Sequence, residues 1–207
     1  MRFYYGWIIV FASFSCIFTF GVFHTYGVFF TPLIDEFGWS RALTSSVFSL
    51  WAVSYSVSSI IMGRLSDKFG PRKIVMFGSF LASFGLILIM QTNSIWQLYL
   101  FWGIASFGTG ALWIPSISTV VKWFDKRRGL AVGIANSGVG IGILVLAPVA
   151  TILTLDYGWR MTFMILGIGI LVITVIAAFM LKPNPKLTVL KVQIRKVGVS
   201  VSLRQAV

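Results

Sequence analysis

Residues 63–73 read GRLSDKFGPRK and stand between two runs, 43–63 and 74–91, that contain no Asp, Glu, Lys or Arg. The link is basic and turn-forming, with Gly70 and Pro71 side by side. Such a pair sets a tight turn between two regular elements. Each flanking run has at least the roughly 17 residues that a helix rising about 1.5 Å per residue needs to cross a hydrocarbon core of about 30 Å. Working outward, four more uncharged apolar runs follow the same rule, at 7–30, 98–121, 130–154 and 161–181. Placing one ionised side chain at mid-bilayer costs about 2.5–3.5 kcal/mol on insertion scales, so charge confined to connections is what a lipid-embedded bundle requires. The fold class expected is therefore all-α, a six-helix transmembrane bundle over residues 1–181. Residues 182–207 are expected to form a basic cytoplasmic tail or the start of a central loop.

Composition agrees. The 207 residues are 57% hydrophobic and only 11% charged, with a mean hydropathy of +0.92. A soluble domain carries about 25% charged residues, so a water-soluble enzyme is excluded. The net charge of +12 arises from 17 Lys and Arg against 5 Asp and Glu. In a soluble protein that excess would suggest nucleic acid, but here it follows the connections and no nucleic-acid partner is expected. One side collects Arg2, Arg64, Lys68, Arg72, Lys73, Lys122, Lys126, Arg127, Arg128 and the basic tail, and the other only Arg41 and Arg160. Basic residues stay on the cytoplasmic face, so both termini are expected there in a multi-pass protein of the plasma membrane. Tyr4, Tyr5, Trp7, Trp39, Trp96, Trp123, Tyr157 and Trp159 fall at the expected water interfaces, where amphipathic rings settle. The first run lacks a cleavage site and is read as an uncleaved helix. The single cysteine, Cys16, excludes a disulfide framework.

Uncharged polar residues are densest in the first, second and fourth runs and sparse in the third and sixth. This predicts two three-helix units in opposite orientations, with the first helix of each lining a polar interior and the third facing lipid. Gly129 with Gly133 and Gly138 with Gly142 are small-residue pairs suited to close helix packing, as are Gly103, Gly108 and Gly110. Pro115 and Pro148 permit bends.

The full spacing of 63–73 resembles the loop signature of the major facilitator superfamily, G-x-L-x-D-x-x-G-x-R-K. YGWIIVF at 5–11, GVFFTPLIDEFGWSR at 27–41 and WFDKRRGLAVGIANSGVGIG at 123–142 look like its monocarboxylate and oxalate/formate branch. The resemblance spans residues 5–181 and implies a secondary carrier for small organic anions such as monocarboxylates, oxalate or formate. Such a carrier works by alternating access, with a proton or by exchange. It implies a gating role for Asp67, which in that family helps close the cytoplasmic side against the second half, with Gly63, Gly70, Arg72 and Lys73 in support. Members have two six-helix halves, so the chain reads as an N-terminal half whose partner is a missing C-terminal half or a second copy. The alternatives are an inactive truncated fragment and a parallel homodimeric carrier. No cofactor and no metal are expected.

His24 is the side chain within a span whose charge switches near neutral pH. It lies about 25 Å along the first helix, by seventeen steps of roughly 1.5 Å from Trp7. Some monocarboxylate carriers place a basic residue about five positions before V-F-F, and the resemblance implies proton or substrate binding there. Tyr26, Asn136 and Ser137 complete the substrate or proton candidates. Nothing inside the spans pairs carboxylates or clusters metal ligands, so no enzyme is expected.

Overall fold

In the computed structural model, which describes residues 5–182, the chain is a bundle of helices. Arg2, Tyr4 and the tail beyond Lys182 lie outside the described residues. The first rod is built from α1 (Tyr5–Phe18), α2 (Phe20–His24) and α3 (Tyr26–Phe37). Its joints coincide with Thr19 and Thr25, whose hydroxyls donate to Cys16 O and Val22 O at 2.7 and 2.8 Å, a local bond that competes with the helix ladder. Gly38 in the left-handed region ends the rod. Next come α4 (Arg41–Phe69), α5 (Pro71–Ile89), α6 (Ile95–Trp123) and α7 (Arg128–Met180). Ser40 and Ser94 cap α4 and α6 by accepting from Leu43 N and Gln97 N. Pro71 opens α5, where a missing N–H does no harm.

Five helices among the described residues are long and apolar enough to cross a membrane, against six expected. The difference lies in α7, which is 53 residues long and carries non-helical φ/ψ at Gly158. A straight helix of that length would extend about 80 Å. Instead its two ends meet. Arg128 Nε donates to Phe124 O at 3.0 Å, while Trp123 Nε1 donates to Lys182 O at 2.8 Å and Tyr5 OH to Met180 O at 3.0 Å. We call this the basic end, because Arg64, Lys68, Arg72, Lys73 and Lys122 to Arg128 gather there. The bend at Gly158 lies at the opposite end, beside Glu36 and Thr92.

Close packing is made where glycines meet backbone. A Cβ on Gly108 would stand 2.4 Å from Ala82 N, and one on Gly142 2.1 Å from Phe18 O. The α5–α6 and α1–α7 seams are thus helix-to-helix at contact distance. Gly138 shares the second seam, against Phe14 O. Gly129 and Gly133 do not fit this reading, since a Cβ on either would meet nothing within 4 Å. Between the seams lies a core of Phe20, Phe23, Phe29, Trp102 and Phe163, with the Phe29 and Phe163 rings stacked 4.1 Å apart. Cys16 is buried in it.

The hydroxyls of the first, second and fourth runs divide into two groups. Ser45, Ser49 and Ser56 of α4 are exposed, whereas Ser13, Thr44, Ser58, Ser106, Thr109, Ser116 and Thr119 are buried. Most bond a carbonyl of their own helix, as Ser106 does to Trp102 O and Thr119 to Pro115 O, which satisfies the hydroxyl without water. Apolar exposure is also not confined to the third helix of each triplet. Phe77, Phe80 and Phe84 of α5 are exposed, but so are Val53, Val57 and Ile60 of α4 and Leu144, Ile152 and Leu155 of α7.

Candidate functional site

His24 closes α2 and is exposed. Its Nδ1 lies 3.0 Å from Phe20 O. A carbonyl only accepts, so this contact places the proton on Nδ1 and leaves Nε2 as the nitrogen that can take a second one. The ring stands edge-on to Trp51 of α4 at 5.0 Å and near Phe48 at 6.3 Å. Beside it opens a cleft of about 290 Å³ lined by His24, Tyr26, Gly27, Phe30, Ser45 and Phe48. No carboxylate is among those residues, so an anion entering meets no like charge there. His24 and Tyr26 are therefore brought together. Tyr26 is buried and its hydroxyl donates to Thr44 O at 2.8 Å, so it fixes the wall of the cleft.

Asn136 and Ser137 are placed elsewhere. Both are exposed on the first arm of α7, and the Ser137 hydroxyl donates to Ile134 O at 2.8 Å. Their neighbour Gly138 packs against Phe14. Asn136 is thereby level with the middle of α1, about 16 Å along the axis from His24 at roughly 1.5 Å per residue.

The loop 63–73 sits at the basic end, with each residue in a distinct setting. A Cβ on Gly63 would come within 3.2 Å of Ile114 of α6. Gly70 adopts φ 91° and ψ 151°, a region open essentially to glycine alone. Asp67 pairs with Lys122 at 2.6 Å, with side chains 63% and 43% exposed, so water screens the pair and its worth is small. Arg72 lies over the Phe179 ring, 4.4 Å from its centroid. Lys73 is exposed.

Sequence reasoning missed a cluster at the opposite end. Glu36 Oε2 accepts from Trp159 Nε1 at 2.6 Å, and Arg160 binds both Glu36 Oε1 and, at 3.0 Å, Thr92 O. The Arg160 guanidinium also lies 4.3 Å from the Trp159 ring centroid. This ties α3, the α5–α6 connection and the bend of α7 together. The signal available was the company of Asp35, Glu36 and Asp156 with Arg41 and Arg160 at the same expected interface. Lys122, the partner of Asp67, was counted only as topological charge. Among the described residues no three His, Cys, Asp or Glu side chains come together as a metal site.

Residues 9–206 match the Major Facilitator Superfamily. Among curated proteins the chain is 35% identical over 158 residues to monocarboxylate transporter 13 of Rattus norvegicus, covering 75% of this chain and 37% of that one. It is 36% identical over 188 residues to monocarboxylate transporter 12 of Homo sapiens, covering 85% and 34%. The chain thus spans less than half the length of the curated relatives it matches. Solved structures share the fold. A bacterial homologue of the human lysosomal transporter Spinster, inward-facing and unoccupied, superposes with a TM-score of 0.75 at 18% identity, over 89% of this chain and 44% of that one. The peptide transporter POT in complex with sulfate gives 0.69 at 21% identity, over 96% and 44%.

Proposed function

The chain belongs to the major facilitator superfamily and is a membrane transporter chain, not an enzyme; from that premise we propose that it forms the N-terminal half of a secondary carrier for small organic anions. In this reading the arms of α7 on either side of Gly158 cross the bilayer separately, giving six crossings as two inverted three-helix units. The basic end faces the cytoplasm, so both termini lie there, in the plasma membrane. A C-terminal six-helix half, or a second parallel copy, completes the carrier. Transported anions are monocarboxylates, oxalate or formate, moved with a proton or by exchange. The monocarboxylate transporters at about 30–36% identity support that class.

The observation that carries the reading is the position of His24 in a cleft free of carboxylates. Protonation at Nε2 would make the cleft cationic and favour an entering carboxylate, while release of the proton would free it. A contact made in only one conformation biases an alternating-access equilibrium. The exposed Asp67–Lys122 pair suits that role, because Asp67 can exchange Lys122 for a partner on the second half at little cost. The test is uptake of labelled lactate, formate and oxalate into vesicles carrying the chain together with its C-terminal half. His24→Gln is expected to flatten the pH dependence of uptake. An unchanged pH profile would remove His24 from the mechanism.

A further inference from the structure

The cleft beside His24 is walled by rings. Three of the six residues that line it, Tyr26, Phe30 and Phe48, are aromatic. Phe48 begins a stack along α4: its ring centroid is 5.3 Å from that of Trp51, at 26°, and Trp51 is 5.6 Å from Tyr55, at 10°. These residues are spaced by three and four, which sets them on one helix face. His24 meets the same stack edge-on through Trp51. Phe48 is 36% exposed and also lies 6.5 Å from the Tyr26 ring, at 26°, so the stack reaches the cleft in a ring that is only partly covered.

The polar groups of the cleft are otherwise engaged. The Tyr26 hydroxyl donates to Thr44 O and the Ser45 hydroxyl to Ala42 O at 3.0 Å. That leaves His24 as the group able to receive a carboxylate, and ring faces as the surface around it. A one- or two-carbon anion would leave the exposed parts of those rings without a partner. A planar aromatic body would cover them by offset or edge-on stacking. The cleft volume of about 290 Å³ lies near the lower end of the range for ligand sites, about 300–1,000 Å³, which suits a single ring.

Resting on the carrier reading, we propose that the cleft selects carboxylates bearing one aromatic ring, with the carboxylate at His24 and the ring against the exposed edge of Phe48. Phe48 is then a specificity-determining residue. The experiment is equilibrium binding of labelled benzoate to the chain together with its C-terminal half in lipid nanodiscs, with cyclohexanecarboxylate and acetate as competitors. Cyclohexanecarboxylate matches benzoate in size and apolar area but has no π face. Benzoate is expected to bind about threefold to tenfold more tightly than cyclohexanecarboxylate, the range that one aromatic pair supplies. Phe48→Leu is expected to erase that preference and Phe48→Tyr to retain it. Equal binding of benzoate and cyclohexanecarboxylate, or a preference that survives Phe48→Leu, overturns the proposal. Acetate bound as tightly as benzoate, in a His24-dependent way, overturns it too but leaves the carrier reading standing. Binding of none of the three acids overturns both.

Discussion

Gly70 at the basic end and Gly158 at the opposite end make the same turn, with φ/ψ of 91°/151° and 79°/161°. Each follows an aromatic residue and precedes an arginine by two, as Phe69-Gly70-Pro71-Arg72 and Tyr157-Gly158-Trp159-Arg160. The arginines are reciprocal. Arg72, at the start of α5, lies over Phe179 near the end of α7, while Arg160, just past the bend in α7, bonds Thr92 O just past the end of α5. What differs is the carboxylate. Glu36 is held by both Trp159 and Arg160, whereas Asp67 meets Lys122 in an exposed pair. The same turn thus serves a clasped end and a lightly pinned one. In the carrier reading proposed above, an end that parts during a cycle is served by a contact easily exchanged.

The comparison can be broken by substitution. The largest effect is expected from Gly158→Ala. A Cβ there would meet nothing within 4 Å, so the cost is backbone strain, about 1–3 kcal/mol, read as a shift in SDS-titration unfolding. Gly70→Ala carries similar strain but disturbs only the pinned end, and a larger loss there than at Gly158 would reverse the ranking. Next is Glu36→Gln, which keeps the shape and removes the charge opposite Arg160. Its side chains are 39% and 35% exposed, so the loss is about 1 kcal/mol, between a surface pair and a fully desolvated one. The smallest is Asp67→Asn, under about 0.5 kcal/mol in the same assay. A loss equal to that of Glu36→Gln would show the two ends to be alike.

Much of the architecture was legible because lipid enforces a simple rule on charge. The uncharged runs lie within the helices, and 63–73 falls at a turn with glycine where the backbone admits no other residue. The helices nonetheless run past the apolar segments, as α4 does to Phe69 and the first rod to Phe37, because amphipathic ends stay helical beyond the hydrocarbon. Hydroxyl patterning is ambiguous, since a Ser or Thr that bonds its own helix looks the same in sequence as one that faces water. The His24–Tyr26 juxtaposition followed from nearness in the chain. The separation of Asn136 did not, because it depends on the register that Gly138 and Gly142 set against Phe14 and Phe18. The Glu36–Trp159–Arg160 cluster joins residues more than a hundred positions apart, and no local pattern announces such a contact.

Cys16 is the only cysteine of the sequence and is 0% exposed. A water-borne maleimide therefore meets no accessible native thiol within these 207 residues. New cysteines placed at the exposed Lys122 or Asn93 would report motion at either end as single-site labels, with no prior substitution at Cys16.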